Sequence, residues 1–172
     1  MTRARKISLM AAVPLATIGF DQITKILARH QLESRPPMPL FGGIVRLQYV
    51  ENPGAFLSLG AGLSETTRFW LFTVIVCGFL VGLFFYVLFT RRLTVAEVFS
   101  FSLILGGGLS NLIDRLLRDH RVIDFMVVGI GRLRTGVFNV ADVAITAGIG
   151  LLFWASIRSP HRPELQTRPP HP

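Results

Sequence analysis

Charge, sulfur and histidine are all scarce in this chain. Only 16% of its 172 residues are Asp, Glu, Lys or Arg, while 51% are hydrophobic and the mean hydropathy is +0.52. That is too little charge to clothe an ordinary soluble domain. The single cysteine, Cys77, lies inside an apolar run, which excludes a disulfide-stapled module within the chain and suits packing better than reaction. The four histidines, His30, His120, His161 and His171, fall in loops or the tail, and none stands at zinc-ligand spacing from a glutamate. With no G-x-S-x-G elbow and no Cys–His pairing, zinc, serine and thiol hydrolysis lack their residues, and no metal or organic cofactor is expected. Acidic residues number 10 against 18 basic ones, a net +8 that in so oily a chain points to anionic lipid rather than to nucleic acid.

Apolar runs are abundant. A bilayer core about 30 Å thick takes roughly 20 apolar residues per helix, and runs at about 7–27, 69–89, 95–113 and 137–156 meet that length. The expectation is an all-α membrane protein with four transmembrane helices, one membrane domain over 1–159, and a disordered Pro-rich tail over 160–172. Four spans put both termini on one side. Arg3, Arg5, Lys6, Arg91, Arg92 and Arg158 crowd against the span ends there, so both termini are expected in the cytoplasm, although a raw count of Lys and Arg favours the other side. The two outer connections contain β-branched and aromatic stretches, Phe41 to Val50 and Arg121 to Ile130, and so predict a small extracytoplasmic β platform with an outer loop. No internal repeat is evident, which weakens an inverted-repeat transporter.

Asp21, Lys25, Asp114, Asp124 and Asp142, with Arg115 adjacent, sit in or at the ends of apolar segments, all placeable near the outer face. Ionisable groups at membrane depth are costly and tend to be paired or functional. Two carboxylates that share a site resist joint ionisation, so one can take a proton from water while its protonated partner polarises a carbonyl. Asp21 and Lys25, at i and i+4, make a helix-face pair on spacing alone. Asp114–Arg115 is open between a structural ion pair and a substrate contact, and the Gly106–Gly107–Gly108 run reads as helix packing.

Five blocks in order carry a resemblance: DQITK at Asp21 to Lys25, ENPGAF at Glu51 to Phe56, GGGLSNLIDR at Gly106 to Arg115, VIDF at Val122 to Phe125 and FNVAD at Phe138 to Asp142. Together they make the chain resemble the lipoprotein signal peptidases, or signal peptidase II, the intramembrane aspartic peptidases that remove signal peptides from lipid-modified bacterial prolipoproteins. The resemblance implies a catalytic dyad of Asp124 and Asp142, with Asn111, Asp114, Arg115 and Asn139 shaping the site. It further implies that Asn52 and Gly54 grip substrate from the outer β segment and that Asp21 and Lys25 brace the first helix. It places the protein in the bacterial cell (inner) membrane, with diacylglyceryl-modified prolipoproteins and membrane lipid as partners; apart from the resemblance, a monomer is expected. Two positions depart from the family's pattern: Ser110 stands where a glycine is usual, and Phe56 where a second alanine is usual.

Beside the resemblance, Asn139 and Asp142 are three apart and share a helix face, in a first turn whose free N–H groups favour an ionised Asp142 as general base. Asp124, flanked by Val122, Ile123 and Phe125, has greasier surroundings that favour its protonated form. The competing function is a small ion or proton carrier using the same carboxylates, which predicts acids distributed through the membrane depth. A non-catalytic scaffold leaves these polar residues without purpose.

Overall fold

Polar caps, more than hydropathy, decide where the helices begin and end in the computed structural model, which describes residues 1–54 and 60–158. The expected disorder of 160–172 and the Phe56 departure lie outside the described residues. Helix α1 (Arg3–Leu32) starts at Thr2, whose hydroxyl accepts from the Arg5 N–H, and outruns the apolar stretch at both ends. Its backbone ladder continues through the last turn, where the Arg29 cation suits the negative end of a helix dipole. Helix α2 (Glu65–Phe89) opens at Ser64, which accepts from the Thr67 N–H, so a polar turn precedes the apolar run. It passes through a π-helical stretch at Trp70–Ile75. Helix α3 (Val95–Leu117) begins with a capping box between Thr94 and Glu97. Helix α4 (Val140–Arg158) starts later than hydropathy suggests, because Phe138 is drawn into a β-bridge with Met126. Each of the four is long and apolar enough to cross a membrane, which makes this a multi-pass membrane protein.

Helix α3 is the hub. Its apolar stretch is 56% buried, against 17% for each of the others, because α1, α2 and α4 all pack on it. Successive helical residues point about 100° apart, so three consecutive glycines serve three different neighbours. A Cβ on Gly106 would stand 2.9 Å from the Pro14 backbone of α1, one on Gly107 2.5 Å from the Ala141 carbonyl oxygen of α4, and one on Gly108 2.6 Å from Leu80 of α2. Gly107→Ala is therefore expected to push α4 off α3 and cost about 1–3 kcal/mol. Gly19→Ala, whose Cβ meets nothing within 4 Å, is the neutral control. Thermal inactivation in detergent reads both, and equal midpoints would show that the α3–α4 contact has slack.

The connections fold into one antiparallel sheet, ordered β1-β2-β3-β4 as in the chain: β1 (Met38–Leu40), β2 (Val45–Asn52), β3 (Val122–Ile130) and β4 (Leu133–Arg134). The strand expected from Phe41 to Val50 is shifted. Phe41–Gly43 forms a tight turn, with φ of +50°, +65° and +87° at its three residues, and pairing in β2 starts only at Val45. Strand β1 goes unanticipated because Pro39 argues against a strand; it is tolerated on this edge strand. The β2–β3 register shifts between Leu47 and Val50, leaving one extra residue on β2, the signature of a β-bulge. A cluster of Ala28, Leu32, Ile123 and Phe125, with Leu47, Tyr49, Met126 and Val140 against it, fastens the sheet to the ends of α1 and α4.

Candidate active site

Where the sheet meets the bundle, α1 delivers Asp21, Gln22 and Lys25 from its polar second half. Lys25 is fully buried, and its ammonium makes three contacts: Asp21 Oδ2 at 2.7 Å, Asp114 Oδ2 at 2.9 Å and Asn111 Oδ1 at 2.9 Å. An ammonium has three N–H donors, so this one is saturated. Asp21 Oδ1 accepts from the Ala141 N–H at 2.8 Å, capping the first turn of α4 from another helix. Asp114 also accepts from Gln22 Nε2 at 3.0 Å and from the Ile123 N–H at 3.2 Å, tying α3 to β3.

Two further carboxylates lie above this ion cluster. Asp124 comes from β3 and Asp142 from the first turn of α4, 2% and 7% exposed. Asn52 is in register with Val122, which makes Asp124 its diagonal neighbour on the same sheet face, and Asn52 Nδ2 donates to Asp124 Oδ2 at 2.8 Å. Asn139 Nδ2 donates to Asp124 Oδ1 at 2.7 Å. The same asparagine engages Asp142 reciprocally: its backbone N–H donates to Asp142 Oδ2 at 3.2 Å, and its Oδ1 accepts from the Asp142 N–H at 2.9 Å. This is capping-box geometry, with an aspartate at the third position. Asn111 Nδ2 donates to Asp142 Oδ1 at 3.0 Å, while Asn111 Oδ1 accepts from Asn139 Nδ2 at 3.1 Å and from Lys25. One asparagine thus touches both carboxylates, and a second fixes the first.

Burial pushes the Asp124 carboxyl up to about 7; donation from Asn52 and Asn139 pulls it back, and the negative charge of Asp142 adds to the rise. A carboxyl that retains its proton near neutrality is suited to donate it.

Arg115 forms the rim. Its Nη2 donates to the Gly54 carbonyl at 2.8 Å and its Nη1 to the Asn111 carbonyl at 3.3 Å, with the Phe72 ring 5.9 Å away. Asn52 Oδ1 accepts from the Gly54 N–H at 2.8 Å, closing a turn that aims the Gly54 carbonyl at Arg115. The Asp114–Arg115 ion pair left open above does not form. Adjacent helical residues diverge, and Asp114 pairs instead with Lys25 and, at 3.5 Å, with Arg118 one turn on.

All ten residues singled out from the sequence, Asp21, Lys25, Asn52, Gly54, Asn111, Asp114, Arg115, Asp124, Asn139 and Asp142, meet in this one region. Gln22 and Ser110 were missed as members. The fully buried Ser110 hydroxyl donates to Asp21 Oδ2 at 2.7 Å and accepts from Gln22 Nε2 at 3.0 Å. The usable signal was that Ser110 and Asp114 are i and i+4, on one face of α3. Among the described residues no group of three or more His, Cys, Asp or Glu is arranged to hold a metal ion, and the buried ionisable groups gather at this one end of the bundle, which leaves a carrier without a relay through the depth.

Four apolar helices with a buried cluster of polar and ionisable side chains at one end define a class, the multi-pass membrane proteins with a polar site at the end of the bundle. The comparisons with known proteins agree. Residues 13–158 match the family model described as Signal peptidase (SPase) II. The chain is 39% identical over 153 residues to the lipoprotein signal peptidase of Azoarcus sp. (strain BH72), covering 87% of this chain and 83% of that one. It is 40% identical over 139 residues to that of Treponema denticola, covering 78% and 80%. A solved bacterial membrane enzyme has the same fold, with a TM-score of 0.78, 24% identity, and 93% of this chain and 94% of that one covered. The protein belongs to the signal peptidase II family and is a membrane-spanning peptidase.

Proposed function

We propose that this protein is an intramembrane aspartic endopeptidase that cuts diacylglyceryl-modified bacterial prolipoproteins before the lipidated cysteine. The observation that carries the reading is the carboxylate pair itself: Asp124 and Asp142 come from different elements and are both held by Asn139. Ionised Asp142 takes a proton from water as its oxygen attacks the scissile carbonyl carbon. Protonated Asp124 gives its proton to the carbonyl oxygen. When the tetrahedral intermediate collapses, the C–N bond breaks, the leaving nitrogen takes the proton held by Asp142, and Asp124 recovers its own from the hydroxyl of the intermediate. The chemistry calls on neither metal nor cofactor. Asn52 and Asn139 orient Asp124, Asn111 orients Asp142, and Gly54 with Arg115 shapes the edge along which an extended peptide lies. One chain supplies every group, so the monomer is the working unit.

The direct test is cleavage by the purified protein in detergent of a diacylglyceryl-modified prolipoprotein and of its unlipidated counterpart. Cutting of the lipidated form alone supports the reading; equal cutting of both removes the lipid from recognition. The pH dependence has a definite sign. With Asp124 raised to about 7, kcat/KM falls as pH rises through that value, because the acid that polarises the carbonyl loses its proton. Asn52→Ala removes a hydrogen bond that holds the Asp124 pKa down, and is expected to move this alkaline limb to higher pH. A limb that stays put would assign it to another group.

The carboxylate pair lies on the extracytoplasmic side in this proposal, with both termini in the cytoplasm, since basic residues crowd the opposite helix ends. A membrane-impermeant thiol reagent applied to intact cells tests this in a Cys77→Ser background. Ser34→Cys, in the turn after α1, labels from outside if the orientation is right, and Thr2→Cys does so if it is inverted.

A further inference from the structure

At the end of the bundle away from the carboxylates, a cavity of about 460 Å³ opens between the start of α1 and the end of α2. Three cationic side chains line it: Arg3 and Lys6 from α1 and Arg91 from the turn after α2. Among the described residues none of the three has a carboxylate within ion-pair distance. Lys6 is pinned in the wall, its ammonium donating to the carbonyls of Leu88 at 3.0 Å and Thr90 at 2.9 Å, which leaves one N–H over. The one acid in the first turn of α3, Glu97, accepts from the Thr94 N–H and hydroxyl in its own capping box. The rest of the lining is largely apolar, with Leu88, Phe89 and Leu93, and Phe89 is 70% exposed at the mouth.

Unpaired cations over an apolar floor, at the ends of two spans, match an amphiphile with an anionic head. We propose that this cavity binds the phosphate-bearing head group of an anionic phospholipid, with the acyl chains lying along the exposed Phe89 and Phe85 face of α2. Basic side chains at a membrane surface attract anionic lipid, and each adds to the attraction. A free phosphate gains the same charges but none of the apolar contact, and so binds more weakly.

The full chain in detergent, stripped of lipid, is titrated with phosphatidylglycerol, phosphatidylcholine or inorganic phosphate, and bound lipid is counted by native mass spectrometry. The expected result is one retained phosphatidylglycerol, with phosphatidylcholine weaker. Arg3→Gln with Arg91→Gln leaves the Lys6 contacts in place and lowers that affinity about tenfold or more. Arg5→Gln with Arg92→Gln removes the same charge from the same end but from residues outside the cavity lining, and leaves binding near wild type. Equal losses in the two pairs would reduce the effect to diffuse surface charge. Displacement of the lipid by inorganic phosphate at comparable concentration would make this a free-anion site, and no selectivity for the anionic lipid would overturn the proposal.

Discussion

Asp124→Asn and Asp142→Asn are each expected to lower the cleavage rate by about 10²- to 10⁴-fold, the usual contribution of a positioned acid or base. Asparagine keeps the shape and removes the titrating group. It also turns one acceptor into a donor. Both Asp124 oxygens accept from amide donors, Asn52 and Asn139, and both Asp142 oxygens from Asn111 and the Asn139 backbone, so each variant sets one donor against another. The fold should survive this, because each side chain rests in the site rather than in the ion cluster beneath it, though with a loss of about 1–3 kcal/mol. Thermal inactivation measured beside activity separates the two effects. A folded variant that cuts at the wild-type rate would remove that residue from the dyad.

Lys25→Met is expected to be the most destabilising single change in the chain. It leaves Asp21 and Asp114 facing each other across a site that is fully buried, with only Arg118 at 3.5 Å to answer Asp114. Removing one partner of a buried pair costs about 3–5 kcal/mol. The loss spreads, because Lys25 also fixes the Asn111 amide that holds Asp142, and Asp21 caps α4 through the Ala141 N–H. Yield of folded protein and the midpoint of thermal inactivation read the effect. Adding Asp21→Asn to Lys25→Met should recover part of it by removing one stranded charge. If Lys25→Met alone is as stable as wild type, the cluster does not hold the helices together.

Much of this was legible in the chain because a bilayer enforces simple rules. Apolar length alone locates four helices, and the cost of burying charge makes Asp21, Lys25, Asp114 and Asp142 conspicuous on them. Spacing put Asn139 and Asp142 on one face, and the structure has them capping each other. The helix ends were less visible, since Ser64 and Thr2 cap through hydrogen bonds that hydropathy ignores. Strand β1 was hidden by its proline, and the start of β2 by backbone torsions at Phe41, Gly42 and Gly43 that no apolar pattern encodes.

Local periodicity and residue chemistry thus settle how many spans there are, which of their ends are polar and which residue types collect there, because each of these depends on neighbours in sequence. They do not settle partners. Gly106, Gly107 and Gly108 look alike in the chain, yet each faces a different helix. Ser110 reads as a departure from pattern, yet its hydroxyl reaches Asp21 across 89 positions, and Asp114 pairs with Lys25 of another helix rather than with the adjacent Arg115. Such pairings join residues distant in sequence and follow from helix rotation and sheet register, which are fixed only when the four helices and the sheet pack against one another.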